Sequence, residues 1–136
     1  MLLTDLFALI QKTLGTQGFE LSKHFQSSAQ ESFFTMEDDI VVRNITFLNE
    51  QYPRIYGVCL KVAKTYHRNS SGHDTSYYLS ISMWDRSSGR TLKHIKLMSS
   101  QTEGTLTRKI LAFVEEYKAI REAWHLNNLI DGYMKK

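Results

Sequence analysis

Five basic side chains and two large aromatic rings recur in this chain at spacings suited to one kind of chemistry. Within TSYYLSISMWDRSSGRTLKHIKLM, residues 75–98, Tyr78 and Trp84 fall at even positions beside Ser76, Ser80 and Ser82, and His94 and Lys96 alternate along the segment that follows. Rings that accept unstacked bases, interleaved with cations that hold phosphates, are what binding of single-stranded DNA or RNA requires, at roughly 1 to 3 kcal/mol per stacked base. The candidate nucleic-acid-binding set is Lys61, Tyr78, Trp84, Arg86, Arg90, His94 and Lys96, with Arg68 at a rim. The same pattern also fits rings lying beneath a helix or a second copy, with the lysines as a fringe, because a slip of one residue exchanges the two faces of a strand.

Other chemistries find less material. His24, His67, His73 and His94 do not fall at zinc-ligand spacing. The acidic turn Glu37-Asp38-Asp39 would need oxygen ligands from elsewhere to hold a cation, and reads as solvated. Ser71-Gly72-His73-Asp74 brings suggestive residue types together, but adjacent residues in one loop rarely reach triad geometry, and G-x-S-x-G, G-x-G-x-x-G and P-loop signatures are absent. Cys59, mid-strand among apolar neighbours, has a structural character. A pocket lined by Tyr56, Tyr66, Tyr78 and His67 is the weakest option. The expectation is a protein that is not an enzyme, with no catalytic residues, no cofactor and no metal.

The candidate residues need a sheet to align them. In the first strand Tyr77, Leu79, Ile81 and Met83 alternate with the serines, which predicts one buried face. Asp85 to Arg90 supplies turn chemistry, and in the return strand Ile95 and Leu97 point inward while His94 and Lys96 point outward. Upstream, Ile55 to Arg68 is the longest strand candidate. Tyr56, Val58, Leu60 and Val62 form its core face; Gly57, Cys59, Lys61, Ala63, Thr65 and His67 form the other, with Gly57 marking a bulge or a close backbone approach. His67 to Asp74 reads as a polar loop, and Pro53 starts the strand that follows NEQYPR, residues 49–54.

Nearer the start, Leu2, Leu3, Leu6, Ile10 and Leu14 give an amphipathic helix with Thr4 as a cap and Gly15 at its end. Strands are expected at Phe19 to His24, Glu31 to Glu37 and Ile40 to Leu48, the last two as a hairpin. After residue 101, Thr102 caps a long helix whose stripe is Leu106, Ile110, Phe113, Tyr117, Ile120 and Trp124, and Leu126 to Met134 reads as a separate short helix. The fold expected is α+β: an antiparallel sheet of about five strands flanked by a short N-terminal helix and a long C-terminal amphipathic helix, one domain over residues 1–136.

Composition sets the remaining bounds. Apolar content of 42% and charged content of 23% exclude a disordered chain. A formal charge of +3 permits contact with nucleic acid or acidic proteins without demanding it. One cysteine permits no internal disulfide and fits a reducing, cytoplasmic setting; the apolar start is broken by Thr4 and Asp5 and reads as neither a leader nor a membrane span. Two functions follow: a single-stranded nucleic-acid binder, or a protein-interaction module (adaptor, chaperone or inhibitor) that forms a homodimer through its C-terminal helix.

Overall fold

The computed structural model describes residues 3–22, 31–36, 39–69, 72–85 and 88–134. Its elements are α1 (Leu3–Thr16), β1 (Glu20–Leu21), β2 (Glu31–Thr35), β3 (Ile40–Phe47), β4 (Glu50–Asn69), β5 (Gly72–Asp85), β6 (Ser88–Met98) and α2 (Glu103–Met134). The six strands form one antiparallel sheet in the order β1-β2-β4-β5-β6, with β3 also paired to β4. This is the expected α+β arrangement with one strand more.

The twenty-residue β4 is the spine of the sheet. One edge carries β5, from Gly57 opposite Trp84 to Asn69 opposite Gly72. The other edge is shared: β3 takes Glu50 to Gly57 and β2 takes Leu60 to Ala63. β2 and β3 are therefore successive partners of β4, not partners of each other as their sequence suggests. Both prefer the long neighbour because it offers each a continuous row of backbone groups. Five residues, 35–39, separate Phe34 from Ile40 while only Val58 and Cys59 separate their partners Leu60 and Gly57, so the edge is broken by a wide bulge.

Three expected loops are shorter than read. NEQYPR is strand from Glu50 onward, and β3 joins β4 through Leu48 and Asn49 alone, both at positive φ (49° and 70°), the geometry of a type I′ turn. Counting from that turn, Pro53 opposite Asn44 lies at a pair that exchanges no backbone bonds, so its missing N–H costs the ladder nothing and it sits inside β4 rather than starting it. β4 and β5 run to Asn69 and from Gly72, and β5 and β6 close with Asp85 opposite Ser88, since ladder pairing extends through polar residues once begun.

Both helices lie on one side of the sheet. Leu6, Ile10 and Leu14 of α1 and Leu106, Ile110, Phe113, Val114 and Tyr117 of α2 join Val58, Leu60, Val62, Tyr77, Leu79, Ile81 and Leu97 in a single buried core. The odd positions of β5 therefore face inward, as the alternation requires. Gly18, at φ 91°, closes α1: the Phe19 N–H donates to the Leu14 carbonyl and the Gly18 N–H to the Gly15 carbonyl, a Schellman ending three residues beyond the expected stop at Gly15. Thr102 caps α2, its Oγ accepting from the Thr105 N–H at 3.3 Å. α2 then continues unbroken to Met134, because Asn127, Asn128 and Gly132 each cost an established helix only about 1 kcal/mol or less. Its apolar stripe from Leu106 to Tyr117 is covered within the chain, with Ile120 and Trp124 packed at the margin of the core. Among the described residues, no helix is long and apolar enough to cross a membrane.

Candidate functional site

The face of the sheet away from the helices carries most of the residues singled out by their chemistry. The pairing register sets them in rungs: Phe33, Lys61, Ser80 and His94 on one; Ala63, Tyr78 and Lys96 on the next; Cys59, Ser82 and Thr91 on the other side; then Gly57, Trp84 and Gly89. Ser80 and Ser82 are buried although they belong to this face, because Tyr78 and Trp84 rise on either side of them along the strand. The result is a small polar floor between taller walls. Tyr78 meets His94 edge to face, with ring centroids 5.6 Å apart.

Trp84 lies against its cross-strand neighbour. A Cβ on Gly89 would come within 2.8 Å of the indole, so glycine is what allows the ring to fold over β6. Beside it Cys59 is fully buried, and burial pushes its thiol up to about 12, with the neighbouring Trp84 N–H pulling weakly the other way. That thiol is neutral and inert near pH 7.

Cations are fewer here than expected. Lys61 faces Glu31 at 3.6 Å, a partly exposed pair of little energetic weight. A one-residue irregularity in β6 between the partners of Ile81 and Ser82 brings Arg90 opposite Met83, in the helix-facing row. Lys61, Tyr78, Trp84, His94 and Lys96 thus share a face, Arg90 does not join them, and Arg86 lies outside the described residues, as do the side chains of Tyr66, His67, Arg68 and His73. Among the described residues no group of three His, Cys, Asp or Glu side chains could hold a metal ion.

Two features lie beyond what the sequence pattern suggests. The first is Asp39, read as part of a solvated turn and in fact 0% exposed. It sits in the bulge between β2 and β3 and ties three elements together. Its Oδ2 accepts from the Met36 N–H at 2.9 Å and from the Tyr117 hydroxyl; its Oδ1 accepts from Arg121 Nε, with His125 Nε2 at 3.7 Å. Its carbonyl accepts from the Val58 N–H at 3.1 Å, and Gly57, at φ 146°, makes room for that carbonyl: a Cβ there would stand 1.9 Å from the oxygen. The close approach expected at Gly57 is thus made by the chain's own backbone. Burial and the bond to Asp39 both raise the Tyr117 phenol above its usual range. With its oxygens engaged by Met36, Tyr117 and Arg121, Asp39 acts as a tether. The available signal is Tyr117, Arg121 and His125 at spacings of four, where the apolar stripe of α2 turns polar on one helix face.

The second is the arm formed by β3 and the first seven residues of β4, beyond the end of β5. Val41, Val42, Phe47, Leu48 and Tyr52 are all exposed, Phe47 at 64% and Leu48 at 87%. One of its faces carries Val41, Arg43, Ile45 and Phe47 opposite Tyr56, Arg54, Tyr52 and Glu50. The run IVVRNITFL is visible in the sequence as a strand, but not as an uncovered one. The chain matches no protein-family model, no curated protein and no solved structure with which it was compared.

Proposed function

We propose that this chain is a protein-interaction module whose contact surface is the β3–β4 arm. One observation carries the reading: five of the eight exposed large hydrophobic side chains among the described residues stand on this one hairpin. Scattered apolar residues on a surface need no explanation, but a cluster does, because each Å² withdrawn from water on docking is worth roughly 25 cal/mol. Leu48 adds to it. A leucine at φ 49° adopts a left-handed conformation that costs a branched L-residue about 1 kcal/mol, at a turn position where asparagine or glycine is the ordinary choice. A bulky apolar tip kept at that cost is better suited to a contact than to folding. The test is site-specific photo-crosslinking in cells from position 48, with position 116 on the exposed side of α2 as control. The reading expects polypeptide adducts from the arm alone; adducts from neither position, or equally from both, would defeat it.

A second reading rests on a different observation, the shared face of Tyr78, Trp84, His94, Lys96 and Lys61, on which no described helix lies. Here the module would bind single-stranded DNA or RNA, with the two rings stacking bases and the cations holding phosphates. Its affinity for an oligonucleotide must fall as salt rises and must drop on Trp84→Ala; binding that ignores either change would count against it.

A further inference from the structure

The arm offers more than apolar area, and its details specify what would fit. The inference rests on the arm being a contact surface, and adds the chemistry of its partner. Arg43 and Arg54 are directly opposite one another on the two strands, a cross-strand pair of like charges that destabilises the hairpin. Among the described residues no carboxylate lies within ion-pair distance of either, and Arg54 Nε is buried without a hydrogen-bond acceptor. Glu50, the single acid of the arm, is held by the Tyr52 hydroxyl. Two guanidinium groups therefore stand unneutralised between flanking rungs made of Val41 with Tyr56 and Ile45 with Tyr52.

The backbone beside them is also open. β3 pairs only with β4, so among the described residues its other edge has no neighbour. Counting from the two-residue turn, Phe47, Ile45, Arg43 and Val41 direct their N–H groups to β4, and Thr46, Asn44 and Val42 direct theirs outward. Edge strands are ordinarily protected by charge or shortness: β6 carries Arg90, Lys93 and Lys96, and β1 has two residues. β3 has eight residues and one charge.

We infer that the arm receives an extended segment of a partner protein as an added antiparallel strand on β3, with acidic side chains of that segment placed on the Arg43–Arg54 rung. Main-chain bonds to Val42, Asn44 and Thr46 supply pairing, the rung supplies charge selection, and Val41 and Ile45 take apolar side chains two residues to either side. A second copy of this chain fits poorly, because pairing β3 with itself about Asn44 gathers four arginines at one patch. Phe47, Tyr52 and Tyr56 could accept bases, but a nucleic acid would leave the outward N–H groups of Val42, Asn44 and Thr46 and the aliphatic Val41, Val42 and Leu48 without partners, so a polypeptide fits better.

The test uses the full chain and two fluorescent capped nine-residue probes that alternate threonine with valine and glutamate, or with valine and lysine. The glutamate probe is expected to bind at least about tenfold more tightly than the lysine probe. The double variant Arg43→Glu, Arg54→Glu keeps a like-charged rung, so its melting temperature serves as the folding control; it should reverse the preference. Asn44→Pro removes one outward N–H without touching the β3–β4 ladder, and should weaken the glutamate probe. Equal binding of both probes, or a preference that survives charge reversal, overturns the inference. So does displacement of the probe by single-stranded oligothymidylate that depends on Arg43 and Arg54, or self-association in sedimentation that Asn44→Pro abolishes. If position 48 still crosslinks to a polypeptide while neither probe binds, the acidic-strand inference falls and the contact-surface reading stands.

Discussion

The two halves of β4 belong to one unbroken strand and meet opposite surroundings. From Val58 to Val62 the inward side chains are at most 1% exposed, covered by α1 and α2 together. From Glu50 to Tyr56 the same row reads Glu50, Tyr52, Arg54 and Tyr56, with Tyr52 47% exposed and most of β3 opposite it open. Between them stand Gly57 and Asp39, which fasten the bulge to α2 through Tyr117 and Arg121. Strand pairing alone therefore does not decide burial, which is set by what elements far away in sequence lay over the strand. The junction lets one strand serve a core at one end and an open arm at the other.

The sharpest way to break this division is at the junction itself. Gly57→Ala sets a methyl against the Asp39 carbonyl and requires positive φ of an alanine, and should cost about 3 to 5 kcal/mol by denaturant titration. Asp39→Ala leaves the Met36 N–H without its acceptor and Arg121 without its carboxylate, with only the Val58 carbonyl at 3.2 Å still facing the Tyr117 hydroxyl, at about 3 kcal/mol. A change below about 1 kcal/mol in both would mean that the junction is not what holds the two halves in place.

The halves themselves should then respond unequally. Leu60→Ala empties a fully buried position and should cost about 3 kcal/mol, whereas Phe47→Ala on the arm should change stability by about 0.5 kcal/mol or less. A comparable loss at Phe47 would show the arm to be part of the core.

Much of the buried half can be read from the chain. Leu79 and Ile81 between serines, and Leu106 to Tyr117 at helical spacing, each define a face by local periodicity, and the core follows. The shared face of Tyr78, Trp84, His94 and Lys96 is legible for the same reason, since each pair is fixed by one short hairpin. Arg90 departs from its expected place because one irregular residue in β6 inverts the facing of everything before it, and nothing in GRTLKH announces that irregularity. Asp39 and the arm escape a sequence reading for a different reason. The partners of Asp39 lie 78 and 82 residues away, and the competition of β2 and β3 for one edge of β4 is settled by pairing, not by pattern.

Alkaline pH gives a smaller effect confined to the covered half. The Cys59 thiol is held neutral, raised from 9.0 to about 12 chiefly by burial, and the Tyr117 phenol is raised from 10.0 by burial and by its bond to Asp39. The unfolded chain releases these protons first, so the stabilisation is full below pH 9 and is lost progressively as pH rises from 9 toward 12. Denaturation midpoints should fall across that window, and the fall should begin at higher pH in Cys59→Ala. A thiol reagent at about pH 8 should leave native Cys59 unmodified and react on unfolding; rapid labelling of the native protein would contradict its burial.

The smallest expected effect has the opposite sign and separates folding from function at the arm. Leu48 is 87% exposed, so its side chain contributes almost no burial, while its φ of 49° penalises it. Asparagine tolerates that conformation and is favoured at the first position of a type I′ turn, so Leu48→Asn should stabilise the protein by about 0.5 kcal/mol. A residue selected for folding alone would not improve on replacement. If Leu48→Asn raises the denaturation midpoint and also weakens crosslinking from a probe placed at the neighbouring position 47, the apolar tip is retained for contact against the preference of the turn. If the substitution destabilises, Leu48 packs on the fold in solution, and the arm is less open than its two-stranded, one-sided pairing implies.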